Sequence, residues 1–99
     1  MRRAVMVNPA DNVAVVLEEV KKGESVLVRS DGRELRLIAR SDIPFGHKIA
    51  VKDIPKGGEV VKYGEVIGRA LSEIKAGDYV HIHNVESLRG RGDLKLHKE

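Results

Sequence analysis

Glu19-Val20-Lys21-Lys22-Gly23-Glu24 recurs twice further along the chain, as Asp53-Ile54-Pro55-Lys56-Gly57-Gly58-Glu59 and as Glu73-Ile74-Lys75-Ala76-Gly77-Asp78. Each copy sets an acidic residue before Val or Ile, then a short turn closed by Gly and another acidic residue. An alternating apolar stretch follows in each case. The pattern reads as an apolar anchor, a turn whose Gly takes a positive φ, and an outgoing strand. The copies are too short and too unevenly spaced for a solenoid. They predict recurrent strand-turn-strand corners within one compact, mainly β domain.

Outward from these corners the reading stays β. Ser25 to Arg29 and Glu34 to Ala39 alternate on either side of Asp31-Gly32, a hairpin-turn dipeptide. Further short strands are expected at Lys48 to Lys52, Glu59 to Lys62, Val66 to Arg69 and Tyr79 to Asn84. One segment reads differently. Asn8-Pro9-Ala10-Asp11 resembles a helix start, Val13, Val16, Leu17 and Val20 fall at helical spacing, and Gly23 is a natural stop. A short helix from about Pro9 to Lys22 is therefore expected, against the β-branched character of Val13, Val15 and Val16. From Ser87 onward both periodicity and apolar density end. Residues 1–88 read as the domain and residues 89–99 as a basic tail.

Composition narrows the function classes. Ninety-nine residues accommodate one domain and a modest core. Without cysteine there is no disulfide, thiolate zinc site or thiol nucleophile. One Phe and two Tyr leave almost no stacking platform for single-stranded nucleic acid. The net charge of +3 comes from 18 basic and 15 acidic residues, a mixed surface that makes a nucleic-acid partner unlikely on these grounds. The longest apolar run, Val13-Ala14-Val15-Val16-Leu17, is far short of the roughly 20 residues that span a bilayer. No signal peptide is legible either, and a cytoplasmic location is expected.

Chemistry concentrates at three places. In Tyr79-Val80-His81-Ile82-His83-Asn84, a continuous strand would project His81 and His83 from one face while Val80 and Ile82 face the core. Two imidazoles so placed make either half of a divalent-metal site or a pair of half-exposed strand residues bonded to neighbours. In Ile43-Pro44-Phe45-Gly46-His47-Lys48, His47 offers acid-base chemistry beside the ammonium of Lys48, or a solvated pair. In Lys62-Tyr63-Gly64-Glu65, Lys62 and Tyr63 can meet a carboxylate or a hydroxyl, or Tyr63 simply covers a small core. Arg91-Gly92-Asp93 reads as coincidence in a chain with no secretion signal. No Ser-His-Asp constellation, phosphate loop or dinucleotide fingerprint is present.

Three ordered stretches together carry a resemblance: residues 43–50, IPFGHKIA; residues 62–70, KYGEVIGRA; and residues 77–84, GDYVHIHN. With the opening Asn8-Pro9-Ala10-Asp11-Asn12-Val13-Ala14, they are similar to the N-terminal SAF domain of the altronate and galactarate dehydratase family, over nearly the whole chain. The resemblance implies a β-clip fold of short bent strands with one or two short helices. It implies dehydration of sugar acids, with the small subunit of sulfolactate sulfo-lyase as a relative that eliminates sulfite. It further implies His47 and Lys48 as catalytic groups, and Lys62, Tyr63 and Asn84 as substrate contacts. His81 and His83 would be ligands for Fe2+ or another divalent metal. In the sugar-acid dehydratases a much larger catalytic domain follows. The present chain therefore resembles a separately encoded small subunit whose partner is a large catalytic dehydratase subunit. The competing expectation is a non-catalytic module that binds a sugar acid or positions a partner.

Overall fold

The computed structural model describes residues 1–87, all of them in strands, isolated bridges, turns or irregular backbone. Among the described residues nine strands appear in chain order: β1 Arg2–Val5, β2 Val13–Val16, β3 Ser25–Ser30, β4 Arg33–Ile38, β5 Lys48–Ala50, β6 Glu59–Lys62, β7 Glu65–Ala70, β8 Tyr79–Val80 and β9 Val85–Ser87. Six form one sheet in the order β4-β3-β1-β2-β5-β8, and three form a second in the order β6-β7-β9. Within the larger sheet β1 and β3 run parallel, Arg2 opposite Val26 through Val5 opposite Arg29. The other pairings are antiparallel. The mainly β expectation is met. The expected tail, residues 89–99, lies outside the described residues.

The helix expected from Pro9 to Lys22 does not form, and no helix occurs among the described residues. Val13–Val16 is instead strand β2, paired with β1 on one side and β5 on the other. Three β-branched side chains in four residues favour that pleated surface, and two neighbouring strands provide it. The apparent helix cap has a different use. Asn8 Oδ1 accepts the Ala10 N–H at 2.9 Å, closing a local turn. Buried Asp11 accepts the N–H groups of Asn8 at 3.2 Å and Gly64 at 2.8 Å. Asn12 donates to the Glu59 carbonyl and accepts from the Val61 N–H, both at 2.8 Å. Residues 8–12 thus clamp the β6–β7 hairpin onto the larger sheet.

The corners form as read, and the structure adds a fourth, Asp42-Ile43-Pro44-Phe45-Gly46-His47, which the comparison of three copies had passed over. They meet in two pairs. Val20 and Ile43 exchange backbone hydrogen bonds at 2.9 and 2.8 Å, as Ile54 and Ile74 do at 2.7 and 2.8 Å. Each corner's Gly has positive φ (Gly23 91°, Gly46 82°, Gly57 82°, Gly77 94°). Its N–H reaches the carbonyl four residues ahead of the opposite anchor: Gly23 to Ala39, Gly46 to Val16, Gly57 to Ala70, Gly77 to Ala50. Each pair is therefore nearly two-fold symmetric.

The anchors are also the core. Val20 and Ile43 lie in one cluster with Val16, Val26, Val28 and Ile49. Ile54 and Ile74 lie in the other with Val13, Val60 and Val80. At roughly 1.5–3 kcal/mol per fully buried Val or Ile, these small side chains supply the main stabilisation of a nearly aromatic-free chain. No helix among the described residues is long and apolar enough to cross a membrane.

Candidate functional site

The site grows out of a difference between corners. In the corners anchored by Val20 and Ile74, the turn residue after the anchor is a lysine whose N–H needs an acceptor. Glu24 takes the Lys21 N–H and Asp78 takes the Lys75 N–H, both at 2.7 Å. In the corner anchored by Ile43 that turn residue is Pro44, which has no N–H. The residue corresponding to Glu24 and Asp78 is then His47, whose side chain is released from capping. It turns to β8, where its Nδ1 lies 2.6 Å from the Tyr79 hydroxyl.

Tyr79 is the hub of the cluster. Its ring lies nearly parallel to His81, centroids 5.5 Å apart with a 10° interplanar angle. It tilts against His83 at 5.3 Å and 52°. The rings of His47 and His81 are 4.9 Å apart. Sequence reasoning did not single out Tyr79, although it stands two residues before His81 and is one of only two tyrosines.

The route by which His81 and His83 reach this cluster corrects an expectation. β8 ends at Val80, and residues 81–84 form a turn, not a continued strand. Val80 is buried as expected, whereas Ile82 is 79 % exposed at the turn's tip. The cause is Asn84, a buried side chain whose Oδ1 accepts the His81 N–H at 2.9 Å and whose Nδ2 donates to the Tyr79 carbonyl at 2.8 Å. These two bonds bend the chain back on itself, and they engage both ends of the Asn84 amide in the turn.

Lys48 and Lys62 face a groove of about 270 Å3 beside His81, with apolar walls from Ile67, Ile82 and Val85. Partial burial, and then the charge of Lys62, push the Lys48 ammonium below its ordinary pKa. Desolvation, followed by the charges of His47, Lys48 and His83, lowers His81 and favours its neutral form. Tyr63 lies outside this lining, exposed on the β6–β7 turn at φ 56°, with Lys62 Nζ 4.8 Å from its ring centroid. The arrangement presents imidazoles and ammonium groups together, chemistry suited to holding an oxyanion and exchanging a proton beside it. Among the described residues, no group of three or more His, Asp or Glu side chains converges to hold an ion. A larger hollow of about 350 Å3, between Met6, Pro9 and the β3–β4 hairpin, contains none of the predicted site residues.

The family described as "Altronate/galactarate dehydratase SAF domain" matches residues 2–88. The chain belongs to that family. This SAF domain is 43 % identical to the altronate dehydratase of Escherichia coli strain K12 over 83 residues, covering 84 % of the present chain but 16 % of that enzyme. It is 43 % identical over 63 residues to the (2R)-sulfolactate sulfo-lyase subunit alpha of Paracoccus pantotrophus, covering 64 % of the chain and 94 % of that subunit. The corresponding subunit of Chromohalobacter salexigens is 36 % identical over 88 residues, covering 85 % of the chain and 94 % of the subunit. Thus the chain spans about a sixth of the dehydratase and nearly all of either alpha subunit.

Proposed function

We propose that this SAF domain is the small component of a lyase for hydroxy-acid substrates, of altronate or galactarate type, and contributes one wall of an active site. A larger polypeptide completes that site. The observation that carries the reading is the juxtaposition of His47, Tyr79, His81 and His83 with the Lys48–Lys62 groove. Among the described residues this groove is lined by Lys48, Lys62, His81, Ser87 and apolar side chains, without a carboxylate. Dehydration of a hydroxy acid removes a proton next to a carboxylate and expels a β substituent. Lys48 and Lys62 neutralise the substrate carboxylate, and an imidazole of the cluster moves a proton at its edge. A divalent metal such as Fe2+ would stabilise the enolate-like intermediate when bound. His81 and His83 would contribute ligands to it, with the larger polypeptide completing the set.

The test is reconstitution with the larger polypeptide. The chain alone is expected to be inactive, and the complex active on a sugar acid. His47→Ala and Lys48→Met are each expected to lower kcat/KM by at least about 100-fold. Turnover by the isolated chain overturns the shared-site reading. Undiminished turnover by a complex carrying both substitutions indicates a binding module instead. A second reading has its own support: the similarity covers 94 % of each sulfo-lyase alpha subunit. Product analysis separates the two, since sulfite release marks the sulfo-lyase and a 2-oxo-3-deoxy acid marks the dehydratase.

A further inference from the structure

We propose that Tyr79 is a positioning residue that holds His47 in the Nε2–H tautomer, so that His47 presents a hydrogen-bond donor to the site. The starting point is the 2.6 Å contact between the Tyr79 hydroxyl and His47 Nδ1. Two arrangements satisfy that distance. Either the phenol donates to a bare Nδ1, or a protonated Nδ1 donates to the phenol oxygen. A phenol O–H is the stronger donor of the two, and an imidazole nitrogen is a far better acceptor than a phenol oxygen. Among the described residues, His47 Nδ1 is the one hydrogen-bond partner within reach of the Tyr79 hydroxyl. The phenol therefore donates, Nδ1 carries the lone pair, and the ring proton lies on Nε2.

The surroundings leave Tyr79 little freedom to do otherwise. Its backbone N–H reaches Ser41 Oγ at 3.3 Å and its carbonyl accepts from Asn84 at 2.8 Å. Its ring is stacked against His81 on β8's continuing turn. The residue that orients the hydroxyl is thus fixed from three sides. In the shared-site reading, on which the catalytic consequence rests, neutral His47 offers its Nε2–H to a substrate hydroxyl or carboxylate. It does not act as a neutral base through Nε2.

Nitrogen-15 NMR of the 99-residue chain tests the tautomer without any partner or substrate. Wild-type His47 is expected in the Nε2–H form, with the Tyr79 hydroxyl proton visible and correlated to His47 Nδ1. Tyr79→Phe keeps the ring and removes only the hydroxyl. In that variant the ratio of Nε2–H to Nδ1–H is expected to fall about tenfold, the effect of losing one hydrogen bond. His47 found as Nδ1–H in the wild type, or the same tautomer ratio in both proteins, overturns the proposal. If Tyr79→Phe does not fold, the wild-type spectrum alone decides. In the reconstituted complex, Tyr79→Phe is expected to lower kcat at least tenfold while KM stays within twofold. A positive NMR result with an inactive complex would leave the tautomer standing and remove the catalytic reading.

Discussion

At the scale of single residues, a missing backbone N–H decides what His47 does. Where the corner carries lysine, a carboxylate three residues on caps the turn, as Glu24 and Asp78 do. Where it carries Pro44, that requirement vanishes and an imidazole takes the position. His47 was singled out from the sequence as an acid-base candidate, but its partner was not legible: Tyr79 is 32 residues away and reaches it only through the β5–β8 pairing. Lys48 and Lys62 show the same dependence on the fold. Lys48 is held below its ordinary value by partial burial and by the charge of Lys62. Replacing Lys62 by Met removes the second cause, so the Lys48 ammonium in Lys62→Met is expected to titrate at higher pH than in the wild type. NMR of the Lys48 ε-carbon reads this directly, and an unchanged or lower titration midpoint contradicts the assigned coupling.

At the scale of elements, the two corner pairs separate backbone strain from packing. Gly57 and Gly77 both have positive φ, yet a Cβ on Gly57 would meet open space, whereas one on Gly77 would collide with the Ile38 carbonyl. Gly57→Ala is expected to cost about 1–2 kcal/mol, the penalty of a left-handed residue with a side chain. Gly77→Ala should cost about 3 kcal/mol or more, because the colliding atom is backbone and yields little. Urea denaturation of the two variants checks the order, and equal losses would mean that φ alone matters. Element type was harder to read than corner position. The helical spacing of Val13, Val16, Leu17 and Val20 is real, but Val13–Val16 pairs with strands on both sides, and Val20 bridges Ile43. Period alone does not separate a helix from a strand followed by a corner when the intervening residues are few and β-branched.

At the scale of the whole molecule, the N-terminal strand is tied to the first corner by charge. Arg2 contacts Glu18 at 3.3 Å and Glu24 at 3.2 Å, and Arg3 contacts Glu18 at 3.1 Å. Hydrogen bonding to Arg3 lowers Glu18, and the Lys21 N–H lowers Glu24, both below the ordinary value of 4.5. A carboxylate whose folded pKa is depressed contributes stability above its unfolded pKa, and that contribution fades as pH falls through the folded value. Thermal stability is therefore expected to drop as pH falls below about 4.5, and less steeply in a Glu18→Gln, Glu24→Gln double variant. These groups are solvent-accessible, so the difference should also shrink at high salt. Parallel melting curves for the two proteins would sink the assignment. The β class, the positive-φ glycine corners, the Asp31-Gly32 hairpin and the family were legible in the residues alone, because these depend on local geometry and on ordered motifs. That residues 8–12 clamp a distant hairpin emerged from the folded chain. It alone revealed the fourth corner's pairing and the folding of His81 and His83 around Tyr79. Each of those rests on hydrogen bonds or ring contacts between segments whose meeting depends on sheet order, which local pattern does not encode.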